Sequence, residues 1–556
     1  MGELVQGSEQ TCRMCGVTEL GKARQKLRVL LLAWLLIGFE IQGTWACPEL
    51  CECDGLTVTC SDATEIPVDI PPETTVLMFP RHRFTNLPGY TFVPHNLRNL
   101  RELHLRRGNL EVINENAFHG LPELTKLHLD YNNLQNIDAN AFDSLGKVDH
   151  LYLYYNKLQR IRARQFVGLP ALRWMSLSFN ALTDIPANAF QGLEHLTTLY
   201  IRYNHLSELG DYQSFSGLHK LQMLSLENNH ALRTVGDETF SQLYSLTDLE
   251  LGGNQLTSDS FTEATFSGLH KLHTLNFHNN PLGLVPSLAL KAIPQLDTLR
   301  LTSCQLRSVR QNDFEYAPDL KQLFLDDNVA LKQIPAHTLS ELEQLEILDF
   351  SRNSVTDILA FSFQNATSLK KLFITDSKLS GIEEDGLDGL VNLDELNLSN
   401  NELTTLPKTA LDSIPYSDSL KIDLGDNPWA CDCHLRDFLQ WVDKHYDAPQ
   451  IQQIFNITEH QPKCLSPPQN AGRSIFDIPT HDLSCEAPPP KDIGHEENQR
   501  RVTIGSCVGL AIVVILCTVL SILFYRRRQR KLRDMLRRYG SRDNVSSFPL
   551  DDNVSI

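Results

Sequence analysis

Leu124-x-x-Leu127-x-Leu129-x-x-Asn132-x-Leu134 is a pattern that this chain repeats. It returns as Leu172-x-x-Met175-x-Leu177-x-x-Asn180-x-Leu182 and as Leu393-x-x-Leu396-x-Leu398-x-x-Asn401-x-Leu403. Thirteen consecutive segments between Leu100 and Ser419 carry it, with a period close to 24 residues. Self-similarity at such a period marks a solenoid, in which each coil buries its apolar edge on the next. A solenoid also escapes the limit that one core would set on a chain of 556 residues. With the first Leu as position 1, the residues at positions 1, 4 and 6 point inward, and alternation over positions 3 to 7 predicts a short strand. Parallel strands about 4.8 Å apart then make an inner sheet on the order of 60 Å long. Asn at position 9, from Asn132 through Asn156 and Asn180 to Asn401, is expected to turn inward and bond to backbone, because a buried amide needs partners. Phenylalanines from Phe118 to Phe314 form a second apolar row.

Four cysteines (Cys47, Cys51, Cys53, Cys60) precede the repeats, and four (Cys431, Cys433, Cys464, Cys485) follow them. Terminal coils expose an apolar face that no further repeat covers, so both ends need caps. In an exported chain these clusters read as disulfides, with three pairings open in each; a zinc tetrad is disfavoured in an oxidising compartment. The repeat, together with Cys47-x3-Cys51-x-Cys53-x6-Cys60 and Asn427-Pro428-Trp429-Ala430-Cys431-Asp432-Cys433 leading to Leu439-Gln440-Trp441, resembles the extracellular leucine-rich repeat superfamily. The resemblance implies a horseshoe solenoid of α/β type with a parallel concave β-sheet. It also implies the bonds Cys47–Cys53, Cys51–Cys60, Cys431–Cys464 and Cys433–Cys485. Cys304 replaces Asn at position 9 and reads as a buried thiol.

Two segments stand outside the solenoid. Arg24, Lys26 and Arg28 precede the apolar run Val29 to Phe39, and small residues end at Ala46, so residues 1–46 read as a signal peptide. Ile504 to Tyr525 holds 22 residues without a charge, followed by Arg526-Arg527-Arg528-Gln529-Arg530-Lys531. That is the pattern of a transmembrane helix with its basic side in the cytoplasm. The expected order is therefore a cap at 47–73, repeats at 74–426 (one cap-like plus thirteen clear), a cap at 427–485, a linker at 486–503, the span at 504–525 and a tail at 526–556. The location expected is the plasma membrane, type I, with the N-terminus outside. Gly505-x-x-x-Gly509 permits close helix approach, hence a homodimer, and the free carboxylate of Ile556 fits a PDZ-type partner. The chain carries −18 overall; the leader takes +1 and the tail +5, which leaves −24 between them. Such an acidic body argues against nucleic acid.

Recognition should fall to positions 2, 3, 5, 7 and 8, whose side chains leave the concave face. Position 8 carries Tyr131, Tyr155, Phe179 and Tyr203 in four successive coils. Around them lie Tyr152 and Tyr200 at position 5, Trp174 at position 3, Tyr154 and Arg202 at position 7, and Arg173 at position 2. Exposed aromatics beside Arg are the composition of binding hot spots, although position 8 could equally hold Tyr for packing. His104 and His128, at position 5 of adjacent coils, read more simply as solvated surface than as a metal or pH site. Glycosylation sequons fall at Asn365, Asn397 and Asn456. Nucleophile–base pairs, phosphate loops and cofactor motifs are not visible, so no cofactor or enzyme activity is expected. The chain resembles single-pass leucine-rich repeat receptors and adhesion proteins that bind a protein ligand. The competing expectation is an auxiliary subunit of a channel or signalling receptor.

Overall fold

The computed structural model describes residues 47–210, 212–455 and 460–485. The leader, Asn456, the spanning segment with Gly505 and Gly509, and the tail with Ile556 lie outside them. Among the described residues no helix is long and apolar enough to cross a membrane. The chain divides into two units, Met1–Leu483 and Ser484–Ile556, and the solenoid belongs to the first.

Its backbone is a 17-stranded sheet. Positions 3 to 5 of each coil form the strand, as in Lys126–His128, His150–Tyr152 and Trp174–Ser176. Each strand pairs in parallel and in register with the next, so Leu127 sits beside Leu151 and Leu151 beside Met175. The ladder runs one coil beyond the thirteen at the C-terminal end, to Lys421–Asp423, and upstream through Val76–Met78 to Thr57–Cys60. Positions 1, 4 and 6 are sealed, and the Phe row, beginning already at Phe92, stacks ring on ring at 5.8–6.3 Å.

The Asn ladder closes the backbone accounts. Asn156 Nδ2 donates to the carbonyls of Leu129 and Leu153, each at 3.0 Å, while its Oδ1 accepts the Leu134 N–H at 3.1 Å. Each amide thus stitches its own coil to the one before. Cys304 does part of this work, its thiol 3.3 Å from the Phe277 carbonyl; burial pushes that thiol up to about 12 and leaves it unreactive. His82 holds the same place in the coil of Val76–Met78. Its buried ring occupies the space that a Cβ on Gly108 would enter, at 2.2 Å.

At the start, Cys51–Asp54 pairs antiparallel with Thr57–Cys60, pinned by Cys47–Cys53 and Cys51–Cys60. At the end, Trp429 is fully buried with its indole N–H on the Leu424 carbonyl at 3.1 Å. Asp432 caps the helix Cys433–His445, which turns Leu435, Phe438, Leu439 and Val442 inward. Cys431–Cys464 closes this cap, and Cys433 and Cys485 are disulfide-bonded too. Asn427 repeats the ladder amide, accepting from the Leu403 N–H, so the last coil and the cap share one residue.

Candidate ligand-binding face

The backbone at position 8 turns left-handed in coil after coil. Later coils meet that demand with Asn228, Gly253, Asn279, Ser303, Asp327, Asp376 and Asn400, mostly residue types that tolerate positive φ, and once with Arg352. Tyr131, Tyr155, Phe179 and Tyr203 adopt it as well, at φ of 52–55°. For bulky residues this costs roughly 1 kcal/mol each. Packing into the core does not offset that cost, since Tyr131, Tyr155 and Tyr203 remain 39–43% exposed. They stack instead on one another, with centroids 4.5, 4.1 and 4.3 Å apart along the column. Stacking of this kind returns about 0.5–1.5 kcal/mol per pair. Arg107, at position 8 of the preceding coil, caps the column 5.5 Å from the Tyr131 ring.

A second aromatic row runs along the strands. His104, His128 and Tyr152 stack at 4.0 Å, and Tyr152 meets Trp174 at 4.7 Å. The histidines are therefore not solvated; side chains at the same position of neighbouring strands lie close enough for planar rings to shut water out. Burial holds His104 down at about 4. Glu102, His104 and His128 place ligand-type atoms within 4.8 Å of one another. Yet the two imidazoles lie in planes only 11° apart, so their lone pairs do not converge on one ion, and the Lys126 ammonium already sits 2.7 Å from Glu102.

Between the two rows the coil of Leu172 carries only serines at positions 5 and 7. Ser176 and Ser178 form a low floor between Tyr152 and Tyr154 on one side and Tyr200 and Arg202 on the other. The result is an open concavity of about 460 Å³, lined also by Tyr155, Trp174 and Phe179. Arg202 spans its wall. The guanidinium lies 4.8 Å over Tyr200, with Nε 3.1 Å from Glu227 and Nη2 3.2 Å from Glu250. Burial and the Glu227 carboxylate lift Glu250 to about 7.

Seven of the ten expected ligand residues line this concavity, and Tyr131 and Tyr203 extend its rim through the stack. Arg173 does not join them. It is exposed at the strand edge, where its carbonyl accepts from Thr197. The serine floor, Arg107, Glu227 and Glu250 were missed by reasoning on aromatics alone; an alignment of positions 5 and 7 across coils would have exposed the gap. A larger cavity of about 650 Å³ lies among Gln159, Arg160, Thr183, Asp184 and His205, but no Phe, Tyr or Trp lines it. Asn365 is exposed on a loop, and Asn397 is half-buried, its amide oxygen accepting from Ser399.

The structure is thus a capped parallel solenoid with an aromatic inner face. The leucine rich repeat model matches residues 72–134, 122–182, 172–231, 228–282, 294–355, 343–403 and 367–423, more than half of the sequence, and the chain belongs to that family. It is 37% identical to mouse Immunoglobulin superfamily member 10 over 95 residues, 17% of this chain and 4% of that protein. It is 38% identical to human Leucine-rich repeat-containing protein 3B over 97 residues, 16% of this chain and 37% of that protein. The chain thus spans well under half the length of these relatives. The Drosophila Toll–Spatzle complex shares the fold, with TM-score 0.53 at 20% identity, over 76% of this chain and 58% of that one.

Proposed function

We propose that this protein is a cell-surface recognition receptor or adhesion protein that grips a protein ligand on the inner face of its solenoid, centred on the concavity around Trp174. The observation that carries the reading is the position-8 column. Four successive coils keep an aromatic residue where the backbone favours Asn, Asp or Gly, and three of the four, Tyr131, Tyr155 and Tyr203, are exposed rather than filling a core. An exposed surface of aromatic residues beside Arg has the composition in which binding hot spots are enriched. The fold is one that Toll uses in complex with Spatzle. The signal-like leader and the uncharged stretch Ile504 to Tyr525 support display outside the cell on a single-pass anchor, with Asn365, Asn397 and Asn456 as glycan acceptors. The concavity at Trp174 is open to solvent, which favours the binding of a ligand surface.

A cell-surface interaction screen tests the reading, run with the displayed chain and with Tyr155→Ala and Tyr203→Ala. Each substitution should weaken a partner's binding by roughly tenfold or more. Unaltered binding in both variants would remove the aromatic column from the site.

A further inference from the structure

We propose that Arg202 is the specificity residue of the concavity, and that it exchanges Glu250 for a carboxylate of an acidic ligand peptide whose neighbouring side chain is aromatic. The inference rests on the binding reading above and adds the ligand's chemistry to it.

The order of the charges from solvent inward carries the argument. Arg202 lines the concavity and is 33% exposed, whereas Glu250 and Glu227 behind it are 21% and 11% exposed. A ligand entering over Ser176 and Ser178 therefore meets a cation stacked on Tyr200, with its counter-charges set back. Two carboxylates are one more than Arg202 needs. The groups facing Glu250 are Arg202, Glu227 and His278, and Arg300 stands beyond His278, 3.9 Å over Phe324. His278 reaches across Gly252, where a Cβ would meet its ring at 2.1 Å, to within 3.6 Å of Glu227. Burial lowers His278 below its usual value, so it gives Glu227 little positive charge at neutral pH. Glu250, at about 7, is poised to gain or lose its proton there.

A ligand carboxylate can replace Glu250 on Arg202 once Glu250 holds a proton drawn from solvent. The guanidinium keeps its ion pair with Glu227 and its Nε bond to the Ser225 hydroxyl, and no carboxylate is left buried without a partner. The aromatic walls around the same concavity receive the neighbouring ring. Binding with uptake of one proton has a definite sign. Affinity is flat below the Glu250 value and falls by up to about tenfold per pH unit above it.

The test uses the full-length chain in detergent micelles and fluorescence anisotropy with two dye-labelled peptides, one with a tyrosine between two glutamates and one with the glutamates replaced by glutamine. The acidic peptide should bind roughly tenfold more tightly than the amide peptide at pH 6, and should lose roughly tenfold between pH 6 and pH 8. Glu250→Gln, which mimics the protonated acid, should bind at pH 8 as the natural chain does at pH 6. Arg202→Gln should abolish the preference between the peptides. Equal affinity for both peptides, a pH dependence that survives Glu250→Gln, or equal competition by free glutamate would overturn the proposal. If Tyr155→Ala and Tyr203→Ala lose the cellular partner while the peptides are not distinguished, only this ligand assignment fails. If those variants keep the partner, the site itself is wrong.

Discussion

Position 9 shows how single residues keep the coils in register. Asn156→Ala would strand the Leu134 N–H in a dry interior and leave the Leu129 and Leu153 carbonyls with only the amides of Asn132 and Asn180, at a cost of about 1–3 kcal/mol, readable as a lower denaturation midpoint. Where His82 takes the place of Asn, its neighbour must be glycine, and Gly108→Ala should destabilise by about 1–3 kcal/mol through overpacking. His82 also makes the fold acid-sensitive. Burial holds it, like His104, at about 4, below the value of about 6.5 expected in the unfolded chain. Each is neutral when folded while the unfolded chain takes up a proton, so stability is full above pH 6.5 and drains away as pH falls towards 4. The loss approaches about 3 kcal/mol per residue. Urea unfolding at pH 7 and pH 4.5 measures it, and an acid-independent midpoint would contradict the buried-ring account. The aromatic residues at position 8 were legible in the sequence, but their left-handed backbone was not, because a hydrophobic pattern records burial rather than φ. The histidine stack was hidden for a related reason. Exposure inferred one side chain at a time overlooks two flat rings one strand apart.

Strands and caps obey nearest-neighbour rules, which is why their periodicity could be read directly. Each strand pairs only with the coils beside it, so damage to one end should stay local. Trp429→Ala removes a fully buried indole and its bond to Leu424, at a cost of about 3–5 kcal/mol to the cap. Hydrogen exchange should then accelerate in Lys421–Asp423 while Trp174–Ser176 keeps its protection. Uniform loss of protection along the sheet would show cooperativity beyond neighbouring coils. The cap's half-cystines were visible as a cluster, yet spacing left three pairings open. The chain fold that brings Cys464 back to Cys431, 33 residues away, resolves one of them. The network from Arg202 to Glu250 was beyond such a reading, since it joins residues 48 apart and skips a whole coil. Pattern comparison aligns each coil with its neighbour and does not see side chains long enough to cross one.

For the whole molecule, the one-dimensional build makes the ends more consequential than any interior coil. An interior coil is covered on both sides, whereas the coil of Ile422 and Leu424 depends on Trp429 and on Leu435, Phe438 and Val442 of the cap helix. A chain cut before residue 427 would leave that edge in water and also lose the Asn427 amide that accepts the Leu403 N–H. An exposed apolar edge next to an unpaired parallel strand is a template for association with a second copy. A chain cut after residue 485 keeps both caps and every described contact of the solenoid. The two truncations should therefore behave in opposite ways. The 47–485 fragment should be secreted, monomeric by light scattering and as heat-resistant as the solenoid of the full chain; the 47–426 fragment should aggregate or be retained. Equal behaviour of the two would mean that the C-terminal cap does not protect the last coil, and that the stacked coils resist solvent at an open end by some other means.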